Sequence, residues 1–113
     1  MKELNLFIRP EKLEIVKEIL VDKYECGGMT VLNAMGCGNQ KGFVQEYTGI
    51  RTNVNLLPKL KIEVYVEDDK IEKVIEEITH TVATGNYGDG KIFIKNVEDA
   101  VRIRTGERGE DAV

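Results

Sequence analysis

The fold of this chain is constrained most by the order in which two hydrophobic periodicities alternate along the sequence. Apolar and polar side chains alternate at residues 2–9 and again at residues 60–67, which is the period of a half-buried strand. Each of these segments is followed by apolar residues that recur every three or four positions, as in an amphipathic helix. Short apolar segments at residues 29–34 and 91–96 follow the two helices and are predicted to be strands. The sequence therefore predicts the order strand, helix, strand, long loop, strand, helix, strand, followed by a polar tail.

This order is typical of an α+β fold of the ferredoxin-like kind, βαββαβ, with one four-stranded antiparallel sheet and both helices on one face. Asp69 and Glu72 have the spacing of a capping box and predict where the second helix begins. Alternation places Phe7, Tyr65 and Phe93 on the sheet face that carries no helix. Because a monomer rarely leaves such an apolar face in water, we expect the chain to associate with itself.

The composition is that of a single domain spanning residues 1–113. Hydrophobic residues make up 42% and charged residues 32% of the chain, a balance that excludes the disordered and fibrous classes. The formal net charge of -4 argues against nucleic acid as a partner, because duplex binders usually carry a basic face. The sequence has no apolar stretch near the roughly 18 residues of a membrane span, and its first segment is too charged for a secretory signal. We therefore expect a cytoplasmic protein.

Few residues are suited to metal binding or catalysis. Cys26 and Cys37 are too far apart in sequence for a zinc-binding pair, and a single histidine cannot complete a structural transition-metal site. That histidine, His80, is placed by the helical period opposite the apolar face, where a surface side chain is expected. Cys37 has no nearby histidine to activate its thiol. We therefore expect no catalytic residue, and a phosphotransferase that uses His80 is the alternative.

Two glycine-rich segments are candidates for ligand binding. Residues 36–56 contain four glycines between two predicted strands, and loops of this length in a compact domain are usually functional. Residues 84–90, TGNYGDG, precede a strand and are followed by Lys91. Glycines let backbone N–H groups approach an anion closely, and a lysine adds positive charge for phosphate oxygens. A glycine-rich turn without a ligand explains this second segment equally well.

Further cations accompany the glycines. Arg102 and Arg104 lie two positions apart, so an extended chain would place both guanidinium groups on one side, where they could contact phosphate. An exposed edge with solvated charges is the alternative. Lys59 and Lys61 share one face of a predicted strand, and residues 36–42 combine three glycines with an amide and a lysine. Three separate clusters of glycine and cation favour a phosphorylated ligand.

Several segments resemble the PII family of nitrogen-regulatory signal proteins. The sequence TGNYGDGKIFI, with Val97 beyond it, is similar to the nucleotide-loop signature of that family. The resemblance extends over the whole chain, in order and spacing, through IRPEKL at 8–13, MTV at 29–31, GCGNQKG at 36–42, LPKLKIEV at 57–64 and RIRTGERGEDAV at 102–113.

The resemblance implies a homotrimer that binds ATP and ADP in clefts between subunits. The residues at the nucleotide-binding positions of the family are Thr30, Gly36, Cys37, Gly38, Gly88, Asp89, Gly90, Lys91, Arg102 and Arg104. Those at the positions that respond to 2-oxoglutarate are Gln40, Lys41, Lys59 and Gly88. Gln40 would also contact Mg2+ together with ATP and 2-oxoglutarate, since hard oxygen ligands suit that ion.

The resemblance further implies that residues 37–55, called the T-loop in this family, contact a partner protein of nitrogen metabolism. That partner would be an ammonium transporter, glutamine synthetase or the nitrogenase system, and only a membrane partner would bring the chain to a membrane. The side chains expected to take part are Phe43, Gln45, Tyr47, Ile50, Arg51 and Thr52.

Three residues depart from the common pattern of the family. Thr52 stands where members switched by uridylylation have a tyrosine, so we expect no control by that modification. Asn39 removes a positive charge near the phosphates, and Cys37 replaces a bulkier or charged residue. A related sensor of a different small molecule, such as another adenine nucleotide or bicarbonate, is the alternative that these departures leave open.

Overall fold

A computed structural model describes residues 1–37 and 56–113. Four strands, β1 (Lys2–Ile8), β2 (Met29–Gly36), β3 (Leu57–Val66) and β4 (Gly90–Asn96), form one sheet in the order β2-β3-β1-β4. Every neighbouring pair is antiparallel. The strand and helix order confirms the predicted ferredoxin-like fold.

Two helical segments cover one face of the sheet. The first begins with a 3-10 turn at Pro10–Lys12, continues as α1 (Leu13–Lys17) and widens into a π-helical stretch at Glu18–Lys23. Pro10 suits this start because its missing N–H would have no partner within the first turn. The second segment is α2 (Ile71–Val82). Within the described part of the chain, no helix is long and apolar enough to span a bilayer.

The predicted capping box at the start of α2 is wrong. The N-cap residue is Lys70, and no side chain donates to or accepts from the first turn there. A turn closed by the bond from the Lys70 N–H to the Glu67 carbonyl, at 3.0 Å, precedes the helix. This turn moves the first helical residue past Asp69, so that its carboxylate cannot cap the helix.

The core lies between the sheet and the two helices. Alternate residues of the central strands, such as Leu6 and Ile62, are fully buried against Val16 and Leu20 of the first helical segment and Val74 of α2. The predicted apolar stripe of α2 is confirmed, with four members buried and one partly buried: Ile71, Val74, Ile75, Ile78 and Val82.

The other face of the sheet carries the predicted aromatic side chains. Phe7 and Phe93 meet edge to face, with ring centroids 5.9 Å apart, and Phe93 is 49% exposed. Tyr65 lies on the same face and is 37% exposed. Asn5, at the centre of this face, is only 3% exposed, and its Oδ1 has no partner among the described residues. The face therefore carries exposed aromatic side chains among charged ones such as Glu3, Glu63 and Lys61, and it contains a polar atom that water reaches poorly.

Candidate functional site

A cleft of about 620 Å³ lies at one end of the sheet. Because all the strand pairs are antiparallel, the ends of β1 and β2 and the starts of β3 and β4 meet at this end. The register places Ala34 opposite Lys59 and Phe7 opposite both Lys61 and Lys91. Segments that are distant in sequence thus line one cleft: Phe7, Gly36, Cys37, Lys59, Asn86, Tyr87, Gly88, Asp89, Gly90, Lys91 and Phe93.

The segment from Thr84 to Gly90, here called the glycine loop, is organised around one carboxylate. The Asp89 Oδ2 accepts hydrogen bonds from the N–H groups of Thr84, at 2.7 Å, and Gly85, at 2.9 Å, and its Oδ1 accepts one from the Thr84 hydroxyl. These bonds, with the Arg9 guanidinium, lower the pKa of Asp89 to about 2, with the Thr84 hydroxyl as the largest cause. The side chain of Asp89 is therefore used inside the loop, and only its backbone is left for a ligand.

Arg9 holds the same loop from the end of β1. Its Nη2 donates to the Tyr87 carbonyl at 2.7 Å, and its Nε lies 3.3 Å from the Asp89 Oδ1. Arg9 is not among the predicted site residues. The sequence shows only that it directly follows a strand, and Arg9 comes to lie beside the loop because the strand register pairs Ile8 with Gly90.

All three glycines of the loop have conformations that other residues rarely adopt. Gly85 has φ +84°, Gly88 has φ +91° and Gly90 has φ +113°. A Cβ on Gly90 would lie 1.7 Å from the Phe7 carbonyl oxygen, so the backbone of the loop approaches β1 more closely than any side chain allows. These three positions explain the predicted need for glycine in this segment.

The cleft combines positive charge with an apolar wall. The Lys59 ammonium donates to the Gly88 carbonyl, and Lys91, directly after the loop, has an exposed side chain. Phe7 and Phe93 form the apolar side of the cleft. Cations beside glycine N–H groups suit an anion, and aromatic faces suit a flat apolar group joined to it.

The structure brings most of the described, predicted binding residues together. Gly36, Cys37, Lys59 and the run from Gly88 to Lys91 all line the cleft. Thr30 lies near the start of β2, at the end of that strand remote from Gly36, and it does not line the cleft within one chain. Outside the described residues lie Gly38, Asn39, Gln40, Lys41, Phe43, Gln45, Tyr47, Ile50, Arg51 and Thr52.

The predicted extended arrangement of Arg102 and Arg104 is wrong. Val101 forms an isolated antiparallel bridge with Arg108, and the chain turns between them. The Arg102 guanidinium pairs with Glu107 at 3.1 Å, while Arg104 lies exposed in the turn. Backbone hydrogen bonds across the turn, from the Arg102 N–H to the Glu107 carbonyl and from the Gly106 N–H to the Arg102 carbonyl, replace the predicted extended chain. Neither residue lines the cleft of its own chain.

The chain's one histidine is not among the residues that line the cleft. His80 is exposed in the last turn of α2, as the helical period predicted. Of the two cysteines, Cys26 lies in the core, where burial raises the pKa of its thiol, and Cys37 is exposed at the mouth of the cleft.

Comparison with known proteins shows similarity over the whole chain. A family model described as nitrogen regulatory protein P-II matches residues 1–107. Nitrogen regulatory protein P-II 2 of Methanothermobacter thermautotrophicus is 50% identical over 113 residues, covering 100% of this chain and 97% of the relative. The nitrogen regulatory protein P-II of Rhodospirillum rubrum is 49% identical over 115 residues, and that of Haemophilus influenzae is 47% identical over 113 residues. Each alignment covers 100% of both chains. The similarity therefore includes every segment that lines the cleft.

Proposed function

Because this chain belongs to the nitrogen regulatory protein P-II family, we propose that it binds ATP or ADP in the cleft and senses 2-oxoglutarate together with Mg-ATP. The bound ligands control a protein of nitrogen metabolism through residues 37–55. The chain acts as a regulator without catalytic turnover, in keeping with relatives that are named regulatory proteins. Because Thr52 stands at the position of the tyrosine that is modified in other members, the input signal is ligand binding and not that modification.

The observation that carries the proposal is the meeting of the glycine loop with Lys59, Lys91 and the Phe7–Phe93 pair in one cleft. The Lys91 ammonium and the loop N–H groups match the charge of a polyphosphate. The aromatic pair matches the base. A nucleotide has both parts at a separation that a cleft of about 620 Å³ accommodates. Arg102 and Arg104 would contribute from a neighbouring subunit, since neither lines the cleft of its own chain.

Lys59 is the residue proposed to distinguish 2-oxoglutarate. Its ammonium, which donates to the Gly88 carbonyl here, would exchange that neutral partner for the distal carboxylate of the keto acid. A bond between two charged groups is stronger than one to a carbonyl, which favours the exchange. The keto acid would therefore act on the glycine loop and on the start of β3 at once.

Mg2+ would be bound mainly by oxygens of the ligands. Asp89 is turned into its loop, and the described residues hold no cluster of three histidine, cysteine or acidic side chains suited to a metal. ATP phosphates and the carboxylate and carbonyl oxygens of the keto acid are hard ligands of the kind Mg2+ prefers. Gln40, outside the described residues, would add an amide oxygen. When bound, the ion joins the nucleotide to the keto acid.

We propose that the effect of ligand binding is transmitted through the segment that begins and ends at the cleft. Cys37 and Lys59 both line the cleft, and residues 38–55 connect them. A ligand that contacts both ends of this segment can shift its population of conformations, which a partner then distinguishes. The target is an ammonium transporter, glutamine synthetase or the nitrogenase system. A sensor of a different small molecule is the alternative.

Calorimetric titration tests the proposal directly. ATP and ADP are titrated with Mg2+, with and without 2-oxoglutarate, and we expect the keto acid to bind only beside Mg-ATP. Lys59→Ala should abolish keto-acid binding and leave ADP binding within about a factor of three, because Lys59 faces the second ligand.

Lys73→Ala is the control, since Lys73 is an exposed lysine of α2 that does not line the cleft. Unchanged keto-acid affinity in Lys59→Ala would reject the role of Lys59. Binding of nucleotides by the wild-type protein without any response to the keto acid would instead favour the alternative sensor.

A further inference from the structure

We propose that Arg9 is a positioning residue for the nucleotide, which holds the glycine loop against the end of β1 and directs the Gly88 N–H into the cleft. The inference rests on the proposed function, because it assigns a task to a residue that does not itself line the cleft.

The Arg9 guanidinium contacts two residues of the glycine loop. Arg9 contacts the loop at two points, the Tyr87 carbonyl at 2.7 Å through Nη2 and the Asp89 carboxylate at 3.3 Å through Nε. The planar guanidinium fixes the angle between these two bonds, which a single ammonium cannot do. The side chain of Arg9 is 27% exposed, so this contact is only partly screened by water.

The contact with Arg9 orients the peptide that joins Tyr87 to Gly88. In a trans peptide the carbonyl and the N–H point in opposite directions. When Arg9 draws the Tyr87 carbonyl towards itself, the Gly88 N–H must point away from Arg9. Gly88 lines the cleft and Arg9 does not, and we infer from this that the Gly88 N–H faces the ligand side.

The next peptide of the loop is held by a residue that lines the cleft. Lys59 of β3 binds the Gly88 carbonyl, so two consecutive carbonyls of the loop are held by two cations, Lys59 and Arg9, which follows β1. Gly88 has φ +91°, a conformation that allows this change of direction between neighbouring peptides. Arg9 fixes the first peptide permanently, whereas a ligand that recruits Lys59 can release the second.

The experiment compares wild type, Arg9→Met, Arg9→Lys and the control Lys23→Met. Lys23 forms an ion pair with Glu77 on the helical side of the molecule and does not line the cleft. We expect Arg9→Met to raise the Kd for ADP roughly tenfold, and Arg9→Lys, which restores only the charge beside Asp89, to raise it about threefold. Lys23→Met should leave the Kd at the wild-type value.

A second measurement separates positioning from general stability. The backbone amide chemical shifts of Gly85, Gly88 and Gly90 are recorded without nucleotide, together with the urea midpoint of each variant. Arg9→Met should move the Gly88 amide signal while its urea midpoint stays close to that of Lys23→Met. If Arg9→Met does not fold, Arg9→Lys should still show a displaced Gly88 signal and a weaker ADP affinity.

The outcomes distinguish the two proposals. If wild type binds ADP and Arg9→Met binds it with the same Kd, Arg9 is not a positioning residue and the proposed function is unaffected. An unmoved Gly88 amide signal in both Arg9 variants rejects the inference as well. If wild type binds neither ADP nor ATP, the proposed function is wrong and the nucleotide role of Arg9 falls with it.

Discussion

At the scale of single residues, the cleft depends on side chains that support its loop as much as on those that face a ligand. Asp89 illustrates the difference. The family resemblance places it among the nucleotide-binding residues, yet its carboxylate accepts hydrogen bonds from Thr84 and Gly85. A carboxylate turned towards a phosphate would repel it, so its use within the loop also removes an unfavourable charge from the ligand side.

The acid stability of the loop is a prediction at this scale. The pKa of Asp89 is about 2 in the folded protein, below the roughly 3.9 of an unfolded chain, with the Thr84 hydroxyl as the largest cause. A lowered folded-state pKa contributes stability above the unfolded pKa, and that contribution is lost as pH falls from about 4 to about 2. Asp89→Asn should therefore lower the free energy of unfolding at pH 7 and flatten its decrease across this window.

Urea denaturation at pH 7, 4 and 2.5 measures this dependence. Thr84→Val keeps the carboxylate and removes the hydroxyl, so the pKa of Asp89 should rise and its contribution should be lost at higher pH. The interpretation is contradicted if Asp89→Asn retains the wild-type decrease between pH 4 and 2.5.

At the scale of elements, the position of β4 against β1 sets where the glycine loop can lie. Gly90 opens β4 opposite Ile8, and its backbone is pressed against the Phe7 carbonyl. Arg9, the residue directly after Ile8, binds the loop from the same end of β1. The end of β1 is thus a support for the loop through backbone approach at one residue and side-chain contact at the next.

Gly90→Ala tests this close approach. The new Cβ would meet the Phe7 carbonyl oxygen at 1.7 Å and would also force φ +113° on alanine, so we expect a loss of roughly 3 kcal/mol or more in the free energy of unfolding. Gly28→Ala is the matched control, because Gly28 also has a positive φ, +83°, but nothing lies within 4 Å of its Cβ position. Its loss should be about 1–2 kcal/mol, the cost of the backbone conformation alone. If a urea titration shows the same loss in the free energy of unfolding for both variants, the close approach of Gly90 to β1 does not contribute to the cost.

At the scale of the whole molecule, the sheet face without helices is the surface that an assembly would cover. It presents the Phe7–Phe93 pair and Tyr65, and it holds Asn5 with an unpartnered Oδ1. An unpaired buried polar atom is costly, and a second chain on this face could supply its donor. The homotrimer implied by the family resemblance is thus a proposal that this face supports.

Sedimentation of wild type and Tyr65→Glu tests the assembly. Wild type should sediment with three times the mass of one chain. Burial and the nearby carboxylates of Glu3 and Glu63 raise the pKa of the Tyr65 phenol. A third carboxylate at position 65 should therefore dissociate the particle. His80→Glu adds a similar charge on the exposed face of α2 and should leave the trimer intact. A folded Tyr65→Glu that remains trimeric would remove this face from the interface.

The amino-acid sequence by itself determined the order of strands and helices, the buried stripe of α2 and the aromatic sheet face. Each depends on a period that is written in neighbouring residues, because burial of alternate or every third to fourth side chain is a local pattern. The glycine loop was also found from sequence, since turns with positive φ need glycine locally.

Only the tertiary structure decided which distant groups meet. Arg9 lies 78 positions from Tyr87 and Lys59 lies 29 from Gly88, and no local pattern encodes either contact. The turn at Arg104 and the start of α2 at Ile71 likewise depend on backbone bonds that outweigh the local pattern. The physical reason is that periodicity records how deeply a residue is buried, whereas the partners of a polar side chain depend on strand register, which exists only once the sheet has formed.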